Sequence, residues 1–218
     1  MGRLLYIYGA SGLGREIAQL VEDINSEGDG PEWVCQFLDD DVSRHGTCVA
    51  GYEVVGDWRV LERAATTCDV AIAVANPIQK RSIVNKIQRF NVRFPTLIHP
   101  RAYVSTRSQI GVGTLIQAGC ILSVENRVGN FVFLNFNVVV GHDVIVGDYS
   151  SLMTGTVLSG GVILEEAVYT GTSVTTIPNV VLGRECIVGA GATVIRNVQP
   201  GVTVAGVPAR PLHKEATD

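Results

Sequence analysis

In a chain of 218 residues with four histidines, the run Val140-Gly141-His142-Asp143 sets one imidazole beside one carboxylate. A neutral histidine is the usual side chain for taking a proton from an amine or hydroxyl near neutral pH. Asp143 can raise its basicity and hold its tautomer. Neighbours on a strand point to opposite faces, so the pairing requires a bend between the two residues. Asn135, also outward and one side of the repeat back, is expected to supply an orienting hydrogen bond. The other histidines are less suited: His45 falls in an irregular loop, His99 precedes Pro100 at a domain junction, and His213 lies in the tail. A zinc site here would need three convergent histidines. His142 has no histidine partner in its segment, so a carbonic-anhydrase-like reading fails and no metal is expected.

The element that must carry His142 is a repeat. From Ile98 to Val194 an aliphatic residue returns every sixth position, and 15 of 17 in-phase positions are Ile, Leu or Val, with Thr170 and Thr176 the exceptions. Two positions earlier sits a small residue or Val, never a charge, as at Val132, Val138, Val144, Val162 and Val174. Gly follows the aliphatic residue at 111, 129, 141, 147, 171, 183 and 189, where positive φ is expected. A period of six fits neither a helix nor a plain amphipathic strand. It fits a chain that bends after each short strand, the signature of a parallel β-helix. One coil of three hexads cannot offset its own ordering entropy, so the coils must stack through parallel ladders. The period puts Cys120 and Cys186 in the interior, which removes them as nucleophiles. Hexapeptide β-helices are mostly acyltransferases, and direct transfer from a bound acyl thioester is the chemistry left to His142.

The first hundred residues read differently. Leu4 to Tyr8 is a short apolar run ending in Gly9-Ala10-Ser11-Gly12-Leu13-Gly14, followed by helical spacing from Arg15 to Val21. The spacing G-x-x-G-x-G is not the dinucleotide fingerprint G-x-G-x-x-G, and its two readings are a tight turn or a cradle of backbone N–H groups for a phosphate. A second strand, 34–38, closes with Asp39-Asp40-Asp41, either a solvated turn or carboxylates for a ribose or base. A third, 70–75, runs into Asn76-Pro77, an N-cap and first-turn proline, and a helix to about Arg89. Alternating strands and helices predict a Rossmann-like parallel sheet over residues 1–97, ahead of an all-β parallel β-helix over 98–218.

Composition narrows the partners. A net charge of -4 without a Lys/Arg cluster argues against nucleic acid. Five cysteines, Cys35, Cys48, Cys68, Cys120 and Cys186, are odd in number with no CxxC, which reads as reduced thiols and a cytoplasmic protein. No signal h-region or apolar stretch of spanning length is present, and no membrane association is expected.

Gly9 to Gly14, Phe37-Leu38-Asp39-Asp40, Leu97-Ile98-His99-Pro100, Leu134-Asn135, Gly141-His142-Asp143 and the closing Gly201 to Arg210 together resemble the bacterial sugar O-acyltransferases of the sialic acid O-acetyltransferase type. That group includes the acetyl-CoA-dependent N-acetyltransferases of nucleotide-linked 4-amino sugars. The resemblance spans essentially the whole chain. It implies a homotrimer of left-handed parallel β-helices with acetyl-CoA in the groove between neighbours and the nucleotide-linked amino sugar on the N-terminal domain. By position it implies His142 as general base with Asp143 beside it. Ser11, Gly12 and Leu13 would line the diphosphate or sugar, Asp39 and Asp40 the nucleoside, and Ala75 with Asn76 the far wall. On the donor side it points to Ser151, Gly160, Thr172 and Ala190. The chain departs from close relatives at Asp143, often Glu, and at Ser151 and Leu13, where some carry His. Two other readings stand beside amide formation: acetylation of a sugar hydroxyl by the same base, and a non-catalytic scaffold or sensor.

Overall fold

The computed structural model describes residues 2–28 and 32–212, so His213 lies outside the described residues. The N-terminal sheet is built from β1 (Arg3–Tyr8), β2 (Trp33–Leu38), β3 (Cys48–Val49), β4 (Tyr52–Gly56), β5 (Cys68–Ile72) and β6 (Val92–Arg93). Its helices are α1 (Gly12–Glu27), the single turn α2 (Arg59–Glu62) and α3 (Pro77–Ile87). The strand order β3-β4-β2-β1-β5-β6 makes β1 the centre, with Tyr8 paired to Leu38 on one side and Ile72 on the other. Winding reverses between β1 and β5, so a crevice opens beyond their carboxyl ends. The sheet is mixed rather than purely parallel, because β3 and β4 form an antiparallel hairpin. Two residues of β3 carry too short an alternation to read as a strand.

From Leu97 onward the chain is a left-handed parallel β-helix of three faces, each a ladder of two-residue strands. The first face starts at Leu97–Ile98, the second at Tyr103–Val104 and the third at Gln109–Ile110. Rungs stack 18 residues apart, as in Ile116 on Leu134 and Val140 on Leu158. The in-phase residues fill the interior, including Thr170 and Thr176, and Cys120 and Cys186 are buried there. Small polar residues of the inner phase are satisfied locally: Thr114 Oγ1 donates to the Gly129 carbonyl, and Asn126 donates to Ser123 and accepts from Val144 N.

The expected role of the repeat glycines needs correcting. Left-handed φ falls two residues later, at every sixth residue from Gly113 to Gly191, including Asn137 and Asp143. The glycine after each aliphatic residue instead answers close approach between rungs. A Cβ on Gly111 would lie 2.4 Å from the Gly129 carbonyl oxygen, and one on Gly147 would lie 2.5 Å from Glu165 C.

The N-terminal unit sits on the first face. Leu97, Leu115 and Phe133 share a core cluster with Leu5, Ile17 and Phe37, and Gln117 Nε2 reaches the Glu16 carbonyl. His99 is buried and bonds Asp23 of α1 through Nε2 at 2.9 Å, while its Nδ1 accepts from Arg101 N. That leaves His99 a structural tie and not a base. All five cysteines are free, and only Cys48 is exposed. Among the described residues no helix is long and apolar enough to cross a membrane.

Candidate active site

The corner between the second and third faces carries His142. Its Nδ1 lies 2.8 Å from Asp143 Oδ2, and both side chains are about two-thirds exposed, at 66% and 65%. The required bend is present: Asp143 adopts φ +58, which turns its carboxylate back to the side of the imidazole. Short polar side chains such as Asp tolerate this left-handed backbone better than most. With Nδ1–H donated to Asp143, Nε2 presents its lone pair outward. The ring lies across Gly160 of the next rung, where a Cβ would stand 2.5 Å from His142 Nε2. Gly160 thus makes room for the imidazole.

The crevice at the ends of β1 and β5 is a cleft of about 390 Å³ lined by Ser11, Leu13, Asp39, Asp40, Ala75 and Asn76, together with Tyr8, Gln79 and Ile83. Two helices start at its rim. Ser11 is the N-cap of α1 but its hydroxyl makes no capping bond, and no acidic residue occupies the first turn. The first N–H groups and positive end of α1 are therefore open to an anion. Gly12 sits at that position with no protein atom nearer to a built Cβ than Arg15 Nη2 at 3.9 Å, whereas Gly14 would meet the Gly9 carbonyl at 2.0 Å. Gly14 serves helix-to-strand packing; nothing in the protein itself requires Gly12.

Asp39 supports the turn. Its Oδ2 accepts from Ala10 N at 2.8 Å and its Oδ1 from Asp41 N at 2.9 Å. Asp40 accepts from the Tyr8 hydroxyl and pairs with Lys86. Burial, followed by that hydrogen bond, pushes the Tyr8 phenol upward, so it stays a donor. Asn76 caps α3 by accepting from Ile78 N and Gln79 N, both at 3.0 Å.

Two sequence expectations change. Asn135 is not brought to His142 within one protomer. It lies at the corner between the first and second faces, and its Oδ1 accepts from Phe136 N. The whole second face, with Val139–Val140 as its strand and a left-handed turn at Asn137, lies between the two corners. Ser151 is fully buried on the first face beneath α3, where its Oγ lies 2.9 Å from Lys80 Nζ, so it offers no donor surface. Thr172 and Ala190 stand exposed at the same corner as Asn135, on successive rungs. Among the described residues no His/Cys/Asp/Glu group could hold a metal ion.

Lys80 went unread in the sequence. Pro77, Lys80, Val84 and Ile87 form the buried stripe of α3, so a lysine in helical phase with apolar residues was the available signal.

Residues 4–87 match the family model described as the PglD N-terminal domain. The acetyltransferase domain of PglB from Neisseria gonorrhoeae, solved also with acetyl coenzyme A, superposes with a TM-score of 0.88 at 30% identity, covering 97% of this chain and 100% of that one. PerB from Caulobacter crescentus, solved with CoA and GDP-perosamine, gives a TM-score of 0.85 at 26% identity over 98% of each chain. A curated relative, GDP-perosamine N-acetyltransferase of Escherichia coli O157:H7, is 29% identical over 143 residues, which are 66% of this chain and 64% of the relative's length. The chain belongs to the bacterial sugar acyltransferase family that includes the nucleotide amino-sugar N-acetyltransferases.

Proposed function

We propose that the protein is an acetyl-CoA-dependent N-acetyltransferase that acts on a nucleotide-linked 4-amino sugar as a cytoplasmic homotrimer. One observation carries the reading: an exposed imidazole, tethered at one nitrogen by a carboxylate and open at the other, on a prism corner opposite the face that carries the N-terminal unit and its cleft. The cleft suits the other half of the reaction, with the free end of α1 for a diphosphate, Asp39 and Asp40 toward the nucleoside, and Ala75 and Asn76 across from them. The relatives' complexes with CoA and GDP-perosamine support both ligand classes.

The separation of base and cleft makes the trimer part of the mechanism. A sugar amine in the cleft is out of reach of the base of its own protomer, so His142 of the partner subunit serves it. Leu13 of the glycine turn and Met153 of the neighbouring corner pack into the same cluster, so the cleft opens beside the corner that carries Asn135. There the partner's corner meets Asn135, Thr172 and Ala190. Apolar side chains left exposed on the second and third faces, including Tyr103, Ile121, Ile145 and Ile163, supply the contact area for that packing.

In the transfer, the amine nitrogen attacks the thioester carbonyl carbon while His142 Nε2 takes its proton. A backbone N–H of the adjacent corner holds the developing oxyanion. The carbon–sulfur bond then breaks, and the imidazolium returns its proton to the departing sulfur. Amide and free thiol are the products.

The test is a panel of UDP-, GDP- and dTDP-linked 4-amino sugars with acetyl-CoA, read as released thiol. An alkali-stable acetyl product is expected from at least one of them. An acetyl group lost in mild base would mark ester formation on a hydroxyl, and no thiol from any sugar would favour a sensor.

A further inference from the structure

Lys80 is 2% exposed and lies between the two halves of the molecule. Its Nζ is 2.9 Å from Ser151 Oγ and 3.3 Å from the Ser150 carbonyl, both on the first face, with no carboxylate among its partners. Isolated burial is unfavourable for an ammonium, and it draws this amine down to about 7. A methionine would fill the same space without that penalty, so the amine is informative for its directional bonds. The helix that carries it has three working sides. Asn76, Gln79 and Ile83 line the cleft, Pro77 and Ile78 line a neighbouring apolar recess against Tyr169 and Ile187, and Lys80 meets the prism. Helix α3 is thus the wedge between cleft and β-helix. Its second tie, Arg81 to Glu166 and Glu185, is partly exposed and so more open to solvent screening than the Lys80 contact.

We propose that Lys80 is a positioning residue: by fixing α3 on Ser150 and Ser151 it sets how the cleft is aligned against the prism, and so against the base that reaches it. The inference rests on the transferase reading above. Because the nucleotide part is held within the N-terminal unit, misalignment acts on turnover and leaves binding of the nucleotide-linked sugar largely intact.

The experiment compares Lys80→Met, Ser151→Ala and Ser151→Thr with the wild type, using the nucleotide-linked amino sugar that the wild type turns over. Melting temperature, KM for each substrate and kcat are measured together. For Lys80→Met, kcat should fall about 10- to 100-fold, the scale of an ångström of misplacement, with KM for the sugar within about 3-fold and a melting temperature at or above wild type. Ser151→Ala should lower kcat several-fold, and Ser151→Thr, which keeps the hydroxyl, should restore it. Wild-type kcat in Ser151→Ala, together with wild-type kcat in any folded Lys80→Met, overturns the proposal. So does a loss in either variant that tracks the unfolded fraction. Absence of thiol release from the wild type itself would instead strike the transferase reading.

Discussion

Two neighbours, Asp143 and Gly160, set the orientation of His142. Asp143 holds Nδ1, the left-handed φ of Asp143 brings the two side chains to one side, and Gly160 provides the surface on which the ring lies. His142→Ala removes the proposed general base and should lower kcat by about 100- to 10,000-fold with both ligands still bound, as equilibrium titration would register. Gly160→Ala tests the ring's seat: the added methyl would overlap the imidazole, so kcat should drop about 10-fold or more while the melting temperature stays near wild type. An unchanged turnover in Gly160→Ala would mean that ring position is immaterial. The outward placement of His142 beside Asp143 was legible in the sequence because His142 is an isolated imidazole in a repeat with a known phase. Asn135 does not reach His142 of its own protomer, because the bending chain between them spans a whole face of the prism. The repeat glycines were also legible in position but not in purpose, since a six-residue period cannot distinguish the residue that needs left-handed φ from the one that touches the next rung.

At the scale of elements, the glycine turn and α3 decide what the cleft can hold. Gly14→Ala would set a methyl 2.0 Å from the Gly9 carbonyl. Either the turn or α1 must move, and the melting temperature should fall by on the order of 10 °C in a thermal scan. Lys80 predicts a pH effect whose sign is fixed by its depressed pKa. Its amine titrates near 10.5 in the unfolded chain and at about 7 in the fold. Between those values the unfolded chain binds the extra proton, so stability rises with pH by up to about 1.4 kcal/mol per unit. Below about pH 7 both states are protonated and the dependence vanishes. The melting temperature of the wild type should therefore gain on that of Lys80→Met from pH 7 to 9, and a constant difference would contradict burial as the cause. The strand, glycine turn and helix of the first 40 residues were readable from apolar runs and punctuation. The β3–β4 hairpin and α2 were not, because two to five residues carry too little periodicity. Lys80 shows the converse: its helix was foreseen, but which face met the prism depended on a tertiary contact 70 residues away.

For the whole molecule, the repeat gave away the β-helix because every rung repeats the same inward choice, and the energetic need to stack enforces it across about a hundred residues. How the two halves face one another was not encoded in any local pattern. It follows from the apolar first face, where Leu97, Leu115 and Phe133 enter the N-terminal core. That docking places the cleft and His142 on opposite sides of the prism, and on the proposed reading a working centre needs two protomers. Gly12→Asp offers a cleft-dead partner for the test, since the protein leaves room for the side chain and its charge would repel a diphosphate at the start of α1. Gly12→Asp and His142→Ala proteins, each inactive alone, are to be unfolded, mixed in equal amounts and refolded, then assayed for thiol release. Centres shared across the seam predict recovery of about a quarter of wild-type activity from random assembly of the trimer, whereas activity no higher than the two inactive parents would place base and cleft in one protomer and contradict the account.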